Sequence, residues 1–296
     1  MNFHARLAAA TTAATLICGT VAPAFANGEL NLYSSRHYDT DERLYSDFTD
    51  ATGITINRIE GNADELIARM QAEGQNSPAD VFLTVDTSRL ERAKDAGLFQ
   101  AIDSDVLEAR VPGYLQDEDN QWFGFSQRAR ILFYDKTDVS DPPMTYQDLA
   151  DPKYKGLVCI RSSSNVYTQT ITAALIAHLG EEAVRDWATA VVSNFARPPQ
   201  GGDTDQLRGI VSGECDIAMS NTYYMARAVR TSVKGLSDSL DMIGWVFPNQ
   251  DTTGAHMNLS GGGVAAHAPN RDNAIKFLEY LASDPVSYTH LRAHET

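Results

Sequence analysis

Strand-like and helix-like stretches alternate along almost the whole chain, and that alternation restricts the possible folds more than any other feature of the sequence. Residues 29–33 read as a first strand and 40–52 as a helix with Leu44 and Phe48 on one face. Asp39 is placed as the cap of that helix, with Glu42 as its capping-box partner and Gly53 as its stop. The cycle repeats as strand 54–59, helix 63–73, strand 80–85 and helix 88–96, closed by Gly97. A second series opens with the apolar strand 129–134 and continues with strand 157–161, a helix to Leu179 and another over 181–192. Asp203 or Thr204 caps a shorter helix with Leu207, Ile210 and Val211 inward, and strand 215–220 runs into a helix capped by Asn221. Such runs define an α/β protein. About 270 residues are enough for two lobes with separate cores. The strands 129–134 and 242–247 are read as crossing between those lobes, forming a hinge with a ligand cleft beside it.

The first 26 residues read as a secretory leader. Arg6 precedes the small and apolar run 7–21, and Ala24-Phe25-Ala26 is a small-x-small cleavage site. The run is too short and too rich in Ala and Thr for a bilayer span of roughly 20 apolar residues, and the bulky Ile17 before Cys18 argues against a lipid anchor. A mature, soluble, periplasmic chain without direct membrane insertion is therefore expected. Cleavage removes one basic residue and no acid, leaving 23 basic against 39 acidic residues, a net charge of −16. That balance disfavours nucleic acid and anionic membranes as partners. Cys159 and Cys215 remain as an even pair, a disulfide candidate in an oxidising compartment, with two separate buried thiols as the alternative.

Three short segments carry an unusual donor set. His37-Tyr38, Tyr167 and the adjacent Tyr223-Tyr224 each fall just past a strand and at or near a helix start, places that converge on one edge of an α/β sheet. A lone Tyr is more often packing with a wet hydroxyl. Four phenols and an imidazole gathered at one edge suit a different role. A phenol loses its proton at a pKa of about 10, so as an anionic ligand at neutral pH it needs a hard, highly charged cation such as Fe(III).

The segments Tyr33-Ser34-Ser35-Arg36-His37-Tyr38-Asp39, Arg128-Ala129-Arg130-Ile131-Leu132-Phe133-Tyr134, Cys159-Ile160-Arg161-Ser162-Ser163-Ser164-Asn165-Val166-Tyr167 and Asn221-Thr222-Tyr223-Tyr224-Met225-Ala226-Arg227 resemble those of periplasmic ferric-iron-binding proteins of bacterial ABC importers. The resemblance spans residues 29–284 and implies a type II two-lobed solute-binding fold. It implies Tyr38, Tyr167, Tyr223 and Tyr224 as metal ligands, His37 as a fifth ligand or close partner, and Fe(III) as cargo without an organic cofactor. With the His-Tyr pair present, a synergistic anion is possible but not required. Four phenolates leave the iron centre one negative charge in surplus, which Arg130, or Arg128 in reserve, is expected to offset. The implied partners are an inner-membrane permease and its ATPase, for a monomeric carrier.

The lobes are expected to comprise residues 27–127 plus about 248–285, and residues 128–247, the latter incomplete at its C-terminal end. Residues 286–296 match nothing in the family and read as a non-native tail whose Tyr288, His290 and His294 are not recruited as ligands. Rival readings are a receptor of the same shape for phosphate, sulfate or a polyamine, and a periplasmic iron sensor. An enzyme is not expected. Leu259-Ser260-Gly261-Gly262-Gly263 comes without a phosphate-binding loop and is read as a turn passing near the cleft, and Gly-x-Ser-x-Gly and His-Glu-x-x-His motifs are absent.

Overall fold

The computed structural model describes residues 28–36, 39–283 and 286. The leader at 1–26, the pair His37 and Tyr38, and residues 287–296 of the tail lie outside the described residues.

The first series follows the predicted order, β1 (Glu29–Ser34), α1 (Asp39–Thr52), β2 (Thr55–Glu60), α2 (Ala63–Glu73), β3 (Val81–Thr84) and α3 (Thr87–Asp95), with Asp39 inside α1 and not before it as a cap. β1 pairs in parallel with both β2 and β3. All four residues of β3 are buried, as in a parallel strand covered on both faces. A short helix that the sequence pattern does not announce, α4 (Asp105–Arg110), is capped by Ser104, whose hydroxyl accepts the Leu107 N–H at 3.2 Å. There follow β4 (Phe123–Asp135), β5 (Val158–Cys159), α5 (Val166–Leu179), α6 (Glu181–Ser193), α7 (Asp203–Val211), β6 (Ile217–Asn221), α8 (Thr222–Arg230), β7 (Ile243–Val246), β8 (His256–Val264) and α9 (Arg271–Leu281).

One sheet runs through both lobes in the order β2-β1-β3-β8-β4-β6-β5, with β7 beside β4. The thirteen-residue β4 carries the chain across: its first part pairs with β8 and its last part with β6 and β7. The strand that returns is β8 rather than the 242–247 segment. β7 has four residues, about 13 Å of reach, and pairs only with Leu132–Asp135. β8 has nine and bonds to β3 in one lobe and β4 at the crossing. The glycines 261–263 lie inside this strand and not in a turn. A Cβ at Gly261, Gly262 or Gly263 would strike the carbonyl oxygens of Phe123, Phe82 and Gln121 respectively.

Each lobe buries its own core. Leu30, Phe48, Phe82, Phe123 and Phe277 anchor the first, where Phe48 meets Phe277 edge-on at 5.0 Å and Val286 also packs. In the second lobe alternate residues of β4 serve opposite faces. Leu132 joins Tyr146, Leu175 and Met219 on one side, while Ile131 and Phe133 join Leu207, Ile210 and Ala218 on the other. Cys159 and Cys215 form a disulfide, with Cα atoms 5.8 Å apart.

Candidate metal centre

Two strand-to-helix junctions of the second lobe bring the tyrosines together. Asn165 ends the polar turn after β5 and caps α5, its Oδ1 accepting the Tyr167 N–H at 3.0 Å, so Tyr167 is held at the second helical position. Tyr223 and Tyr224 take the second and third positions of α8. The Tyr167 and Tyr223 hydroxyls are 3.4 Å apart, and the rings of Tyr223 and Tyr224 stack with centroids separated by 4.2 Å. All three tyrosines therefore belong to the first turns of helices, where the helix dipole favours negative charge.

Arginines surround this cluster. The guanidinium carbons of Arg128, Arg130 and Arg161 lie 5.5, 5.8 and 5.5 Å from the centre of the Tyr167 ring, and that of Arg227 lies 5.8 Å from the Tyr224 ring. Arg130 is buried and forms an ion pair with the fully buried Asp203, and Arg161 approaches the other oxygen of that carboxylate at 2.5 Å. Burial acts to lower the pKa of Arg161, and the Asp203 charge outweighs it, holding the guanidinium above its ordinary value. Two cations thus share one anion. Nε and Nη2 of Arg130, Nε of Arg161 and Nδ2 of Asn221 are buried donors with no partner among the described residues. Buried donors normally find acceptors.

Asn221 occupies the cap position of α8 but does not cap with its side chain. Its Oδ1 accepts from Arg130 at 3.2 Å. Asp203 likewise is no cap: Gly202 holds that position, and the Asp205 carboxylate accepts the Gly202 N–H at 2.7 Å. The pairing of Asp203 with two arginines has no local signature, because an acid after two glycines at a helix start looks like an ordinary cap.

Three further residues escaped sequence reasoning. His256 faces Arg130 across the β4–β8 ladder, and its Nε2 is buried without a partner among the described residues. Burial pushes its pKa down to about 4, opposed by Asp86 and reinforced by Arg128 and Arg130, so the ring is neutral at neutral pH. The Tyr146 hydroxyl pins the two strands there, accepting the His256 N–H at 2.9 Å and donating to the Arg130 carbonyl. Asp86, fully buried on the loop between β3 and α3, reaches Arg128 at 3.8 Å.

Among the described residues no group of three or more His, Cys, Asp or Glu side chains could hold a metal. The available donors are phenols, which select hard cations over soft ones.

A sheet that threads two α/β lobes, with convergent polar groups at the strand ends, defines a bacterial solute receptor. The chain belongs to the bacterial extracellular solute-binding protein family, whose sequence profile matches residues 43–291 and so extends over 286–291, where the sequence pattern suggests no match to the family. It is similar to iron uptake protein A1 of Synechocystis, 52% identical over 259 residues, which is 87% of this chain and 72% of that protein. It also resembles the solved structure of Trichodesmium IdiA (FutA) in complex with iron and citrate ligands, with a TM-score of 0.84 and 49% identity over 90% of this chain and 85% of that one. The ferric binding protein from Campylobacter jejuni follows the same fold with a TM-score of 0.82, at 39% identity over 87% of this chain and 82% of its own. Among the described residues no helix is long and apolar enough to cross a membrane.

Proposed function

We propose that this protein captures Fe(III) in the periplasm and delivers it to the permease of an ABC importer, whose ATPase drives uptake. The observation that carries this reading is the cluster of three phenols at two helix N-termini, ringed by arginines of which Arg130 and Arg161 hold buried donors without acceptors among the described residues. Phenolates on a hard trivalent cation would supply the negative charge those arginines await. Tyr167, Tyr223 and Tyr224 would bind first, and Tyr38 with His37 would join from the first lobe, 27–127 plus about 248–285, as it meets the second, 128–247. Arg130 offsets the surplus charge of the iron centre and Arg128 supports it. No organic cofactor is needed, and an added anion is admitted without being required. The protein acts as a carrier and not as a catalyst. Reduction to Fe(II), which holds phenolates less well, or protonation of the ligands would release the cargo.

The test is an absorption titration of the mature protein with chelated Fe(III) and, without oxygen, with Fe(II). A tyrosinate-to-iron band is expected with Fe(III) alone. Tyr223→Phe combined with Tyr224→Phe should abolish the band, and it should weaken binding by more than the roughly 10- to 100-fold that follows loss of an outer-sphere partner. A double variant that keeps colour and affinity would break the assignment. The unpartnered donors of Arg130 and Arg161 would also suit a bare oxyanion. Tight binding of phosphate or sulfate to iron-free protein, with no band from either iron ion, would favour that receptor instead.

A further inference from the structure

The N-terminal half of α5 meets the first lobe by way of Arg128 at the crossing and directly at Thr170. Tyr167 lies against Arg128, which donates to the Val85 carbonyl and pairs with Asp86 at 3.8 Å. One turn further along the helix, the Thr170 hydroxyl stands 3.1 and 3.2 Å from the two oxygens of the same Asp86 carboxylate. Asp86 is fully buried and held firmly in place. It accepts the Ser88 N–H at 3.0 Å as the cap of α3, the Ser88 hydroxyl at 2.6 Å, and the Asn258 side-chain amide of β8 at 2.7 Å.

We propose that Thr170 and Asp86 form a latch that holds the lobes together over bound iron and sets how long the cargo is retained; this rests on the iron-capture reading. The chemistry makes the contact reversible. The Thr170 hydroxyl has one proton and a third acceptor within reach, the Val166 carbonyl of its own helix at 2.8 Å. When the lobes part, the proton returns to that carbonyl, so opening exchanges a charge-assisted bond for a neutral one and leaves no buried donor orphaned. Iron on Tyr167 fixes the start of α5 and therefore favours the latch. By reciprocity, the latch strengthens iron binding by the same factor.

Thr170→Val removes the hydroxyl while keeping a β-branched side chain of nearly the same helix preference, so the fold is preserved. Asp86 keeps its contacts to Ser88, Asn258 and Arg128. Release of iron to an excess of citrate, followed through the tyrosinate band, is expected to be about tenfold faster than in the unmodified protein. Thr170→Ser restores the hydroxyl and should restore the slow rate. A Thr170→Val protein that shows the band and releases iron at the unmodified rate overturns the latch. If the unmodified protein gives no band with Fe(III), the iron reading fails, and small-angle scattering then judges the latch by itself. Thr170→Val should be more expanded than the unmodified protein and Thr170→Ser should not, whereas identical profiles for all three would overturn it.

Discussion

The two lobes treat unequal charge in opposite ways. In the first, Lys94 lies between two acids, 2.6 Å from Asp117 and 2.8 Å from Asp119, but Asp119 is 61% exposed and water balances the excess. In the second, Arg130 and Arg161 share Asp203, which is 0% exposed, while donors on both arginines stay unpartnered among the described residues. An imbalance at a wet surface has little energetic consequence, whereas a buried one carries a desolvation cost that a counter-charge would offset. That surplus positive charge beside Tyr167 suits the proposed role of the second lobe in holding the anionic ligands of a metal.

Removing one partner from each site is the strongest way to break this contrast. Asp203→Asn leaves the buried Arg130 and the partly buried Arg161 uncompensated and should cost about 3–5 kcal/mol in denaturant unfolding. Asp119→Asn should change stability too little to measure. Fe(III) should also raise the melting temperature of Asp203→Asn more than that of Asp119→Asn, because the tyrosinates supply the lost negative charge. Equal increments would mean that Asp203 has no electrical connection to the site.

The disulfide extends the comparison to stability, since Cys159 and Cys215 both belong to the second lobe. Replacing the pair with Ala should lower stability by about 2–5 kcal/mol. Hydrogen exchange should locate the loss in β5 and β6 and leave β1 and β3 protected. A uniform loss across both lobes would show that the sheet transmits what the bridge restrains.

A smaller effect comes from His256 at the crossing. Its folded pKa of about 4 lies below the ordinary 6.5, so between those values the unfolded chain binds the proton first. The stability tied to the neutral ring is complete above pH 6.5 and is lost as the pH falls towards 4. His256→Gln should flatten that part of the pH–stability curve, and an unchanged slope would assign it to the carboxylates.

Much of this architecture was legible because its signals are local. The strand-helix alternation follows from short-range pattern, and Asn165 before Tyr167 marks a helix start in the sequence as clearly as in the structure. Tyr223 and Tyr224 stand at the next such junction. What escaped depends on partners far apart in the chain. Segment 242–247 has the composition of a crossing strand, and only its pairing with residues 132–135 shows that it stays in one lobe. Asp203 and Asp86 look like helix caps. Asp86 is one, but the arginines and threonine that give both residues further roles come from other elements. His256 carries no sequence signal, and its character comes entirely from its burial beside Arg128 and Arg130.

The glycines of β8 have a mechanical consequence. From 261 to 263 the strand presents only backbone to its neighbours β3 and β4, and on β4 a register shift separates Gly124 from Ser126 at the same level. The missing side chains let Leu83, Leu90 and Phe99 of the first core close directly onto the backbone of β8. A side chain there would wedge the returning strand out of the first core, so the narrowness of these three residues is what lets the strand that crosses between the lobes also be a wall of one of them.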